Sequence, residues 1–146
     1  MSRHYLAGRM TSAPTATLPG SSLYAAAAKG GRLIQVGIFN TTVTACAVAL
    51  RRLTTTGTQG AGLDELPADP NAGASLMTGF NTHSIGPTIT LGEFDRADLG
   101  AAVGSGVIWT FGGEGLLIPA GTANGIGILC PVGTGQICDF SFVWDE

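Results

Sequence analysis

The chain has 146 residues, of which 45% are hydrophobic and only 12% charged, with a formal net charge of −3. One domain of this length can bury a core without a disulfide or metal staple. The acidic balance, with no aromatics interleaved among the basic residues, argues against nucleic-acid binding, and no apolar run approaches the 18 residues of a membrane-spanning helix.

Residues 1–31 show no period of 2 or 3.6 and consist mainly of Ala, Ser, Thr, Pro and Gly with scattered cations. They read as an extended N-terminal arm, ordered by lying on a partner. Tyr24 and the four alanines after it have the composition of one helical turn, stopped by Gly30 and Gly31. The stretch lacks the apolar core of a signal peptide, so synthesis in a reducing cytoplasm is expected.

Residues 32–146 read as a single β-sandwich domain. Residues 32–39 (RLIQVGIF) are a first strand, followed by a turn at Asn40-Thr41-Thr42. Residues 43–53 form a second, apolar on both faces and therefore central, with small alanines against which something packs closely. Residues 54–74 are a polar loop of about 20 residues, beyond the ordinary range and so functional or packed on a partner. Residues 76–80 and 88–94 are further strand candidates. Residues 95–103 have the pattern of a short helix capped by Asp95 and ended by Gly104. Four short strands follow at 107–111, 115–118, 126–130 and 136–145, separated by Gly- and Pro-rich turns. In the last, Cys138, Phe140, Phe142 and Trp144 share one face and Asp139, Ser141, Val143 and Asp145 the other, the alternation of a half-buried antiparallel strand. About eight strands with short links and no long helix predict an all-β antiparallel sandwich, most simply a jelly roll.

Charge is unevenly placed: residues 1–52 carry +6 and no acid, whereas residues 53–146 carry −9. Either a cationic face docks on a neighbour, or strands from both parts interleave and the charges mix. The charged share is about half the usual ~25%, and Lys29 is the single lysine. A solitary monomer normally coats itself with charge; a charge-poor chain can instead give its surface to neighbours, the alternative being a small monomer coated in Ala, Thr and Gly.

Chemistry is sparse. His4 and His83 belong to no metal or catalytic pattern, and neither a nucleophile elbow nor a phosphate-cradling loop is present. Loop acids Asp64, Glu65 and Asp69 offer oxygen ligands without EF-hand spacing. Cys130 and Cys138 are symmetric about Thr134; a hairpin there would set them opposite each other, as packed thiols in a reducing compartment or, alternatively, as a bonded pair. Trp109 and Trp144 fall within strand patterns and read as core, not as a sugar platform. The expectation is a non-enzyme with no catalytic, cofactor-binding or metal site. The expected partner contacts are Arg3, His4, Tyr5, Arg9 and Tyr24 of the arm, and Leu63, Asp64, Glu65, Leu66, Asp69 and Asn71 of the long loop.

Several stretches carry a likeness together: residues 36–42 (VGIFNTT), 50–57 (LRRLTTTG), 104–111 (GSGVIWTF), 118–125 (IPAGTANG) and the ending 140–146 (FSFVWDE). In these the chain resembles small virion structural proteins of tailed bacteriophages, in particular head decoration (cement) proteins with β-sandwich folds. The resemblance implies a subunit on the capsid exterior that binds the major capsid protein, often as a homo-trimer, and stabilises the head through repeated contacts. A tail or fibre component, or a receptor- or glycan-binding jelly-roll module, would share much of this pattern.

Overall fold

A computed structural model describes residues 4–146, with the side chains of Arg9 and Met10 left out. Among the described residues there is no helix, and so none long and apolar enough to cross a membrane. Thirteen strands form: β1 (His4–Ser12), β2 (Ser21–Tyr24), β3 (Gly31–Asn40), β4 (Cys46–Leu53), β5 (Thr58–Gln59), β6 (Leu66–Pro67), β7 (Thr78–Asn81), β8 (His83–Ile85), β9 (Asp95–Leu99), β10 (Gly106–Thr110), β11 (Leu116–Ile118), β12 (Gly125–Leu129) and β13 (Cys138–Asp145).

They make two large antiparallel sheets. The first runs β10-β3-β13-β1-β6, with β11 also on β3; the second runs β7-β2-β12-β4-β9; β5 and β8 form a small third sheet. Eight strands nest as pairs from the outside inward: β1 with β13, β2 with β12, β3 with β10 and β4 with β9. This is a long antiparallel ribbon, and pairing of β13 with β3 and of β12 with β4 rolls it onto itself.

One apolar cluster joins the two sheets. The first contributes Tyr5, Leu33, Val36, Ile38, Trp109, Phe140, Phe142 and Trp144, the second Leu23, Val48, Leu50, Ile126 and Ile128. In β13 the predicted alternation holds at every residue: Cys138, Phe140, Phe142 and Trp144 are buried and the intervening residues half-buried. Trp144 stacks on its cross-strand partner Tyr5, ring centroids 6.0 Å apart. Such aromatics bury ~150–250 Å² each, and β13 sits between two partners that seal them in.

The structure departs from the sequence-based expectations at several places. Residues 4–31 are not a separate arm. β1 lies between β13 and β6, β2 lies inside the second sheet, and all four residues of β2 are buried. Ser21 and Ser22 are tolerated there because their hydroxyls have partners, Ser21 donating to Phe80 O at 3.0 Å and Ser22 lying 2.9 Å from His83 Nε2. Tyr24 ends β2 rather than opening a helical turn, and the residues after it close a tight turn with Ala26 N donating to Lys29 O at 2.9 Å. Residues 95–99 are strand β9, not helix, because pairing with β4 satisfies the backbone groups on one side and buries Leu99; tertiary pairing outweighs a local cap signal. Residues 88–94 form no strand; they run along β4 through one bridge, Leu53 to Ile89, and backbone bonds from Thr90 N to Arg52 O and from Phe94 N to Leu50 O. The Gly133-Thr134-Gly135 turn does not close a hairpin, since β12 and β13 lie in different sheets, and Cys138 pairs with Asn40 and Ser12 instead of Cys130.

Candidate interaction surface

The outer faces of the two sheets differ. On the second sheet the chain covers itself. Tyr24, Leu53 and Leu129 form an apolar cluster roofed by Phe80 and Ile89, and Ala47 and Ala49 are buried beside it. The predicted close packing against these alanines is therefore supplied by the chain's own residues. Pro19 and Leu53 crowd Gly127 so tightly that a Cβ there would lie 2.9 Å from Leu53 Cδ1. Tyr24 donates its hydroxyl to Thr55 O at 2.9 Å, and burial pushes the phenol well above its usual range. Arg51 donates to Thr90 O and Gly92 O. Arg52 donates to Leu117 O and stacks 5.0 Å over the Phe94 ring. Cations of the first part thus hold backbone of the second, and the interleaved alternative accounts for these charges.

His83 belongs to this covering layer and is 2% exposed. Its Nδ1 has no fully formed hydrogen bond among the described residues, although the Thr56 backbone favours the protonated ring. Burial outweighs that and lowers its pKa below the ordinary value. Ser22 and His83 are both sealed from solvent, so their contact joins β2 to the covering layer and offers no exposed nucleophile.

The outer face of the first sheet is open, and the strand registers lay it out in rows. The first row is His4, Asp145, Arg32 and Leu117 across β1, β13, β3 and β11. The second is Leu66, Leu6, Val143, Gln35 and Thr110, crossing from β6 to β10. The third is Gly8, Ser141, Gly37 and Ile108. The fourth is Thr11, Asp139, Phe39 and Gly106. Among the described side chains, charge is confined to the outer rows, where His4 Nδ1 lies 3.0 Å from Asp145 Oδ1 and Thr11 donates to Asp139. The two middle rows hold no charge and expose Leu66, Leu6 and Ile108 at 63%, 41% and 55%. Gly8, Gly37 and Gly106 give this face a low floor, and the Phe39 ring lies over Gly106, where it would sit 2.3 Å from a Cβ.

The β10 edge extends this surface. Asn40 N donates to Ser105 O and Phe111 N to Ile34 O, which sets the phase of the ladder. By the alternation of an antiparallel pair, the N–H and C=O groups of Gly106, Ile108 and Thr110 then point away from β3. No strand pairs there among the described residues. The opposite sheet ends on β9, whose Asp95, Arg96 and Asp98 put charge on the edge; β10 has none.

The chain matches no known family model, no curated protein and no solved structure.

The expected contact residues divide. Tyr5, Tyr24 and Leu63 are buried and serve the core, not a partner; Tyr5 donates its hydroxyl to Gly73 O at 3.0 Å. Glu65 accepts from Gly79 N at 2.8 Å, and Asp69 accepts from Asn71 N and Nδ2, so both organise the loop itself. Asp64, Asp69 and Asn71 are exposed on it. His4 and Leu66 lie on the open face. Arg3 and the Arg9 side chain fall outside the described residues. The long loop packs on its own domain, pairing β6 with β1 and burying Leu63. No three His, Cys, Asp or Glu side chains among the described residues group to hold a metal ion. Sequence reasoning does not single out Leu6, Val143 and Ile108. Their signal is apolar character at outward positions, and an apolar run reads equally as a strand buried on both sides.

Proposed function

We propose that this chain is a virion structural protein of tailed bacteriophages, a capsid decoration subunit that binds the assembled head and stabilises it through contact area. Its fold is read as a sandwich of two sheets and, more finely, as a jelly roll. The nested pairing of β1 with β13, β2 with β12, β3 with β10 and β4 with β9, rolled up through β13–β3 and β12–β4, supports that reading. The observation that carries the functional reading is the pair of uncharged middle rows on the outer face of the first sheet, with the bare β10 edge, on a chain that covers the corresponding face of the other sheet with its own residues. Exposed apolar surface of this kind marks contact sites. Many weak copies of one contact on a repeating shell add through multivalency.

In this reading the major capsid protein is the partner, a homo-trimer is the assembling unit, and the chain is made in the host cytoplasm and ends on the head exterior. The test is co-sedimentation of the purified chain with DNA-free heads built from the major capsid protein encoded alongside it. Binding at hundreds of copies per head is expected, lost in a Leu6→Lys, Ile108→Lys double variant that keeps its melting temperature. Labelling of tails alone, or saturable sugar binding without head binding, would replace this reading with a fibre component or a glycan-binding module.

A further inference from the structure

The three cysteines are free and buried, and they are not equivalent. Cys46 is the first residue of β4 in one sheet and Cys138 the first residue of β13 in the other. Asn40 brings these two strand starts together. It pairs across from Cys138 in the β3–β13 ladder, and its side-chain amide donates to Thr44 O at 2.7 Å, two residues before Cys46. The Cys46 thiol lies near enough to Cys138 to help raise its pKa, with Cys130 a lesser contributor, and the Cys46 and Cys138 side chains both belong to the shared core. Cys130 is held differently, its Sγ donating to Val132 O at 3.2 Å and approaching Gly133 O at 3.8 Å. Access also differs. Cys46 is 7% exposed and borders a cleft of about 290 Å³ with Asp98, Leu99 and Val132, whereas Cys138 has no exposure.

We propose that Cys46 and Cys138 are a covalent modification site, a latent disulfide that cross-links the two sheets when the chain meets a small dialkyl disulfide outside a reducing compartment. The Cys46 thiolate attacks one sulfur of the oxidant. The oxidant's S–S bond breaks, one thiolate leaves, and a mixed disulfide remains on Cys46. The Cys138 thiolate then attacks the Cys46 sulfur, closing the Cys46–Cys138 bond and expelling the second thiolate. Two protein thiols are oxidised, one oxidant disulfide is reduced to two thiols, and the two protons released by the cysteines go to those leaving groups. Burial pushes the Cys138 thiol up to about 12, so the second step is the slow one at neutral pH. The closed bond ties β4 to β13 across a long stretch of chain, which restricts the unfolded ensemble and stabilises the fold.

The experiment treats the full native chain with oxidised glutathione and follows intact mass, free thiols and a non-reduced peptide map. The expected product has one free thiol, no retained glutathione and a peptide linking Cys46 to Cys138, with Tm raised by about 5 °C or more. Cys130→Ser gives the same link, and Cys138→Ser stops at one glutathione on Cys46. Where Cys138→Ser does not fold, Cys138→Ala supplies the same readout with an apolar side chain in the core, and the wild-type map decides by itself. A link through Cys130, an adduct on Cys130 in the Cys138 variants, or three free thiols retained under conditions that oxidise the urea-unfolded chain would overturn the proposal.

Discussion

The outer face of the second sheet and the outer face of the first are built from similar strands and treated in opposite ways. On the second, Leu53, Leu129 and Tyr24 are roofed by Phe80 and Ile89, so the sheet itself is covered and apolar exposure passes to the covering segment, at Ile85, Leu91 and Phe94. On the first, Leu6, Leu66 and Ile108 stay exposed over a floor of glycines. The chain between β4 and β9 is long enough to cover both faces, yet residues 54–90 fold largely onto one. The difference teaches that exposure here is not forced by a shortage of chain. An open apolar face costs solubility, and under the proposed function contact with a neighbour offsets that cost.

The largest expected effect tests the covered side. Leu53→Ala removes a fully buried side chain from the roofed cluster and should cost about 2–5 kcal/mol, whereas Ile108→Ser on the open face should stay within about 0.5 kcal/mol. Urea denaturation midpoints compare the two, and equal losses would end the distinction between the faces. A sharper contrast uses glycines. Gly127→Ala drives a methyl against Leu53 and Pro19 and should destabilise by about 1–3 kcal/mol. Gly8→Ala meets Ser141 Cβ at an ordinary 3.5 Å and should be neutral or slightly stabilising, because alanine restricts the unfolded chain.

Acid should act on the two sides at different pH. His83, in the covering layer, has a folded pKa below its ordinary 6.5. The unfolded state therefore binds the proton first, and the stability present above pH 6.5 is lost as pH falls below it. Glu146 accepts bonds from Ser75 Oγ, Leu76 N, Met77 N and Trp144 Nε1. Burial opposes its charge, but these donors prevail and hold its pKa below the ordinary 4.5. Its contribution is present above pH 4.5 and lost as pH falls from there toward the lower folded value. Thermal melts from pH 8 to 3 should show two successive losses, the first flattened by His83→Gln and the second by Glu146→Gln. The smallest effect belongs to the rim of the open face. His4→Ala should cost no more than about 1 kcal/mol, seen only at low salt, because the His4 side of the pair with Asp145 is half exposed.

Much of the C-terminal third is legible in the sequence. The alternation of β13 and the strands β10, β11 and β12 stand where the pattern places them, because bulky β-branched and aromatic residues record a strand's two faces directly. β1 and β2 are not legible in the same way. Their Ala, Gly and Ser residues carry little hydrophobic contrast, although close packing requires their small size. The contact residues divide along the same line. His4 and Leu66 lie on the open face, whereas Tyr5 and Tyr24 read as surface anchors only while their strands read as an arm.

By itself the sequence determined an all-β class and the strand that anchors the core. The tertiary structure alone decided that residues 4–31 enter both sheets, that residues 95–99 extend rather than coil, that Cys138 meets Cys46, and which sheet face stays bare. The reason is that alternation along a strand encodes which side chains share a face. Neighbours come from pairings between distant segments, and β1 finds β13 only after almost the whole chain lies between them.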